Sequence, residues 1–128
     1  MQYRLKKNSD FDRVFKAGKR SFSHTLTLLY VGGTDKTRFG VTVTKKHGIA
    51  VKRNRIKRVF RAAFREVLPD VKGEYYLVFV PKKNMEHTFS ETLKNMRYVL
   101  KKEGILKNAF ISSLFKKLQK RKHPGAIF

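Results

Sequence analysis

A single domain that mixes helices with strands is what this sequence predicts, and three stretches carry that expectation. Phe22 to Val31 and Arg38 to Lys45 alternate with the two-residue period of strands. Lys52 to Arg65, read at about 100° per residue, resolves into an apolar back and a cationic front. Tyr75 to Val80 (YYLVFV) is nearly continuous apolar sequence, the pattern of a central strand covered on both faces. The chain has 128 residues, enough for one real core, and its 41% hydrophobic content supports a folded globule over a disordered basic chain.

In chain order, Met1 to Asn8 is a short basic lead, with Tyr3 and Leu5 available to dock on the body. Ser9 followed by Asp12 has the spacing of a helix N-cap. A helix from about Asp10 to Ala17 would align Phe11, Val14 and Phe15 and stop at Gly18. Phe11 and Phe15 are core residues by default, although one of them could line a surface groove. The strand from Phe22 to Val31 carries Phe22, His24, Leu26, Leu28 and Tyr30 on one face. Gly32 to Lys36 is turn chemistry, so a hairpin with the Arg38–Lys45 strand is expected. Lys45, Lys46, His47 and Gly48 then break the alternation before a basic helix from about Val51 to Leu68, ended by Pro69. Pro81 closes the apolar strand. Thr88 with Glu91 offers a second capping box, opening a helix with Phe89, Leu93, Met96 and Leu100 as its buried stripe and Gly104 at its end. Ile105 to Arg121 could form a last, basic helix. No internal repeat or linker divides the chain.

Charge is the strongest single feature. There are 31 Lys or Arg against 9 Asp or Glu, a net charge of +22. Self-repulsion on that scale opposes compaction, so a polyanionic partner is expected. Residues 36–65 hold eleven cations and no acid, and residues 66–103 are nearly balanced at seven to six, which reads as scaffold. On the basic helix Ile56, Val59, Phe60, Ala63 and Val67 gather on the apolar side, with Phe64 at its edge. Asn54, Arg55, Lys57, Arg58, Arg61 and Arg65 spread over the other side. Like charges at i,i+4 (Arg53/Lys57, Lys57/Arg61, Arg61/Arg65) cost a bare helix a few tenths of a kcal/mol per pair, a cost that a polyanion removes. Arginine adds bidentate geometry toward phosphate. A cytoplasmic RNA or DNA binder is therefore expected. A membrane is disfavoured by the lack of a long apolar run or signal-peptide pattern.

Catalytic chemistry by the protein is not signalled. There is no cysteine, no zinc-like histidine spacing, no phosphate-binding glycine loop and no nucleophile motif. Asp10 and Asp12 are better placed as cap residues than as a paired acid and base. His24 reads as a satisfied core histidine, and His47, in the basic turn, as a phosphate contact. Phe11, Phe15 and Tyr30 are open to two readings, core packing or stacking of an unpaired base.

Val43-Thr44-Lys45-Lys46-His47-Gly48-Ile49-Ala50-Val51-Lys52-Arg53-Asn54-Arg55-Ile56-Lys57-Arg58 closely resembles the signature of the bacterial ribonuclease P protein subunit, with Arg53-Asn54-Arg55 as its RNR core. Thr44 stands where serine is commoner. Ser9 to Arg20 resembles that family's N-terminal helix, and Tyr75 to Pro81 its strand after the signature helix. The resemblance implies an α+β sandwich of order α-β-β-β-α-β-α, with a left-handed βαβ crossover through the RNR helix. One domain is expected over 1–128, with a core of about 1–104 that carries the resemblance and a basic helical extension at 105–128 that fits the family poorly. The resemblance also implies a function: binding a catalytic RNA and assisting removal of the 5′ leader from precursor tRNA. The RNA would do the hydrolysis with Mg2+, and the protein would hold no cofactor itself. Carried over by position, Lys45, Lys46, Arg53, Asn54, Arg55, Lys57, Arg58, Arg61 and Arg65 would face the catalytic RNA, and Phe11, Phe15 and Tyr30 would line a cleft for the leader. A ribosomal or general RNA-binding protein is the competing expectation.

Overall fold

The computed structural model describes residues 4–106. Their element order is α1 (Asn8–Ala17), β1 (Lys19–Phe22), β2 (Leu26–Gly32), β3 (Arg38–Val41), α2 (Ala50–Val67), β4 (Tyr75–Pro81) and α3 (Phe89–Lys102). Short 3-10 turns at Lys45–His47 and Leu68–Asp70 flank α2. This is the α-β-β-β-α-β-α order that the resemblance implies. The extension from 107 onward, the expected helix to Arg121 included, lies outside the described residues. Ile105 and Leu106 are not its first turn: they are buried in the main core, and Leu106 bridges Val71 in antiparallel fashion.

The four strands form one sheet in the order β1-β2-β4-β3. β4 is central, antiparallel to β2 and parallel to β3, with Leu28 opposite Phe79 and Gly40 opposite Val78. Its Leu77, Val78 and Phe79 are fully buried, so the continuous apolar run does mark a strand covered on both faces. β3 and β4 are parallel neighbours joined through α2, since parallel strands need a crossover rather than a tight turn.

The expected hairpin between Phe22–Val31 and Arg38–Lys45 does not form. The hairpin is β1 with β2, Ser21 opposite Leu28, and β4 separates β2 from β3. What breaks the predicted long strand is Ser23. Its hydroxyl donates to the Leu26 carbonyl at 3.2 Å and accepts from the Leu26 amide at 3.3 Å, closing a turn in which His24 is exposed. His24 is therefore not the core histidine that alternation suggests.

Two cores lie on opposite faces of the sheet. α2 and α3 cover one face, where Phe60, Phe64, Met96 and Leu100 meet Leu26, Leu28, Phe39 and Phe79. The Phe39 and Phe64 rings stack there at 4.4 Å between centroids and 12° between planes. Phe64, at the edge of the predicted apolar arc, is thus wholly internal. α1 covers the other face, where Val14 packs with Leu5, Leu29, Tyr76 and Val78. α1 starts two residues earlier than a Ser9 cap would have it, at Asn8 and not Asp10: Lys7 is the N-cap, and its carbonyl accepts from the Asp10 and Phe11 amides. Of the second capping box the Thr88 half forms, its Oγ1 accepting from the Glu91 amide at 3.3 Å, while the Glu91 carboxylate accepts from Asn95 Nδ2. Of the stripe predicted for α3, Met96 and Leu100 are buried, Leu93 is partly buried, and Phe89 is 42% exposed.

Candidate nucleic-acid interface

The cationic face begins at the turn before α2, and its shape follows from His47. Thr44 caps this turn: its Oγ1 accepts from the Lys46 amide, and its own amide donates to His47 Nδ1 at 3.0 Å. With Nδ1 accepting, Nε2 carries the proton and donates to the Pro81 carbonyl at 2.7 Å. Both ring nitrogens are engaged and the residue is 5% exposed, so His47 is a clasp between the turn and the end of β4 and not the phosphate contact that its position suggests. The clasp leaves Lys45 and Lys46 facing outward. Gly48 follows at φ 125°, a conformation closed to other L-residues without strain.

Along α2, Ile56, Phe60, Ala63, Phe64 and Val67 are buried, which turns Asn54, Arg55, Arg58 and Arg65 out to solvent. Arg53, Lys57 and Arg61 are half-buried along the flanks. Among the described residues the two ion pairs are Arg38–Asp35 and Arg97–Asp70, so no carboxylate neutralises α2. A helix bearing this much unpaired charge is held by its buried face and not by its own propensity.

The flank of α2 and the start of α1 approach one another across the outer edge of β3. There a groove of about 440 Å3 is lined by Arg4, Lys6, Phe11, Gly40, Lys57 and Arg61, among others. Arg4 reaches it because the basic lead pairs with β3: Leu5 donates its amide to the Phe39 carbonyl at 2.7 Å, and Arg4 bridges Phe39 in parallel. Phe11 reaches it because residue 40 is glycine. A Cβ at Gly40 would stand 2.8 Å from the Phe11 ring. Burial, then the charges of Arg4 and Arg58, hold the Arg61 pKa below the ordinary arginine value. An anion in the groove would relieve that repulsion.

The structure therefore gathers Phe11, Lys57 and Arg61 from the predicted set and adds Arg4 and Lys6. The basic composition of the lead was the available signal for these two, but the period of the helix could not point to a segment outside it. Phe15 lies one turn after Phe11 on α1, 39% exposed. Tyr30 is elsewhere. It belongs to the α2–α3 face, 8% exposed, with its hydroxyl donating to Glu103, so it does not share a cleft with Phe11 and Phe15. Its neighbour Leu29 is the residue that faces α1. Successive side chains point to opposite faces of a strand, and a one-residue step moves a ring to the other face.

Among the described residues no cluster of three or more His, Asp or Glu is placed to hold a metal ion, and no helix is long and apolar enough to cross a membrane. Comparison with known proteins agrees with the architecture. Residues 1–104 match the model of the family Ribonuclease P. The ribonuclease P protein component of Oceanobacillus iheyensis is 41% identical over 112 residues, spanning 84% of this chain and 91% of that protein. The protein component of Clostridium kluyveri is 42% identical over 110 residues, spanning 82% and 97%. A solved structure of the Staphylococcus aureus RNase P protein superposes with a TM-score of 0.72 at 28% identity, covering 82% of this chain and 98% of that one. For the Thermotoga maritima protein the TM-score is 0.69 at 28% identity, with 77% and 96% covered. Signature, strand order and relatives agree: the chain belongs to the ribonuclease P family, as a protein component of that ribonucleoprotein.

Proposed function

We propose that α2 and the turn before it form the surface on which the catalytic RNA assembles, and that the α1 side of the sheet receives the 5′ leader of precursor tRNA. As a ribonuclease P protein component the chain is the auxiliary subunit of an endoribonuclease of tRNA processing. In this reading Lys45, Lys46, Arg53, Asn54, Arg55, Arg58 and Arg65 contact phosphates of the catalytic RNA, with Lys57 and Arg61 at the border between the two RNAs. Phe11 and Phe15 offer rings to unpaired leader bases, each stack contributing about 1–3 kcal/mol. Tyr30 has no part in it. The RNA supplies the hydrolytic site and its Mg2+, the enzyme works in the cytoplasm, and 1–128 acts as one domain with a basic extension.

The observation that carries the reading is the groove at the β3 edge, where Arg4, Lys57 and Arg61 converge beside an aromatic ring, with no carboxylate among the described residues to neutralise them. Cleavage of precursor tRNA with and without the cognate catalytic RNA tests it. The protein alone should leave the substrate intact, and with the RNA it should lower the Mg2+ needed for cleavage. Cleavage by protein free of RNA would sink the reading. Recovery of ribosomal RNA without the ribozyme from cells would favour the ribosomal alternative.

A further inference from the structure

A second aromatic and cationic surface lies on the other side of the molecule from the groove at β3. α2 packs beneath β3 and α3 beneath β2, so the far end of α3 lies toward the β1 edge. Between the β1–β2 turn and α3 a depression of about 530 Å3 is lined by Phe22, His24, Lys82, Lys94, Asn95 and Tyr98, among others. Phe22 and Tyr98 are 57% and 54% exposed, two large rings left in water on neighbouring walls. Lys102 ties them together, its Nζ donating to the Phe22 carbonyl at 3.0 Å and standing 5.0 Å from the centre of the Tyr98 ring. Lys82 is pinned through its backbone, its amide donating to the Thr25 carbonyl and its carbonyl accepting from His87 Nε2. Among the described residues neither Lys82 nor Lys94 has a carboxylate partner. The acid at the border, Glu91, already accepts from Asn95 Nδ2 at 3.4 Å.

Exposed rings framed by lysines on a fixed scaffold match the needs of unpaired nucleotides, which present a base face and a phosphate at each step. A duplex keeps its base faces within its own stack. We propose that this depression binds single-stranded RNA, with bases stacked on Phe22 and Tyr98, phosphates held by Lys82 and Lys94, and Lys102 bracing the two rings. The inference goes beyond the assembly and leader surfaces, and its test contains no catalytic RNA, so the two readings fail independently.

The probe is a short oligouridylate, compared with an abasic oligomer of equal length, on the full chain carrying Arg58→Ala, Arg61→Ala and Phe15→Ala to quiet α2 and the leader surface. Adding Phe22→Ala and Tyr98→Ala should weaken oligouridylate binding about tenfold and leave the abasic oligomer unaffected. Lys94→Glu should weaken both oligomers, with a thermal melt unchanged from the parent. The assignment is overturned if the double ring substitution binds oligouridylate as tightly as its parent. Equal weakening of both oligomers by the ring substitutions also overturns it, since an abasic oligomer has no base to stack and loses affinity only if the substitutions disturb the lysine frame.

Discussion

The Tyr30 hydroxyl donates to Glu103 Oε1 at 2.5 Å, joining the middle of β2 to the residue that ends α3. Burial first, then this hydrogen bond and the charge of Glu103, raise the Tyr30 pKa from 10.0 to about 12. The bond fastens α3 over the sheet and takes the ring out of any RNA surface.

Tyr30 should therefore show in alkaline stability. A group whose folded pKa is raised contributes fully below its unfolded pKa and loses that contribution as pH climbs to the folded value. The wild-type protein should lose stability between pH 10 and about 12, and Tyr30→Phe should flatten that part of the curve. At neutral pH the substitution should cost about 1 kcal/mol in chemical denaturation, the usual net worth of one hydrogen bond. Identical alkaline curves for the two proteins would refute the assignment.

On α2, Arg58→Ala and Arg61→Ala should each weaken assembly with the catalytic RNA. Each should also reduce the slope of log affinity against log salt by about one unit, the signature of one lost phosphate contact. Titrations over a salt series measure this. Unchanged slopes for both variants would place the RNA elsewhere.

Phe15→Ala should weaken binding of leader-bearing precursor tRNA by about 1–3 kcal/mol relative to mature tRNA. The ring is 39% exposed, so fold stability should change little. Equal losses for the two RNAs, measured on the assembled enzyme, would mark a packing role instead.

His47→Ala should act through shape. It leaves the Thr44 amide without its acceptor and the Pro81 carbonyl without its imidazole donor, at a cost of about 1–3 kcal/mol. Because the turn it clasps displays Lys45 and Lys46, RNA assembly should weaken further than the stability loss explains. Paired measurements of melting and RNA affinity check this, and a His47→Ala protein with normal stability would remove the clasp from the account.

What the sequence determined by itself is what local periodicity can carry. The apolar back of α2 at Ile56, Phe60 and Ala63 is buried as the wheel predicts, and the run at Leu77, Val78 and Phe79 lies at the centre of the sheet. The charge on the front of α2 was legible too, since exposure of lysine and arginine follows from burial of the opposite side.

Only the tertiary structure decided partners. Alternation in Phe22–Val31 and Arg38–Lys45 announces strands but says nothing of which edge each one takes. β4 needs cover on both faces and a neighbour on both edges, so it enters between β2 and β3 and separates two strands that are adjacent in sequence. The same limit governs the rings. Tyr30 and Phe11 are equally aromatic on the page, yet a strand's two-residue period puts Tyr30 beneath α3 and leaves Leu29 facing α1. Arg4 joins Lys57 and Arg61 only because the chain's first described residues lie along the edge of β3. Helical charge is a local property and can be read residue by residue. A groove is made by segments far apart in the chain, and their meeting is fixed by long-range packing.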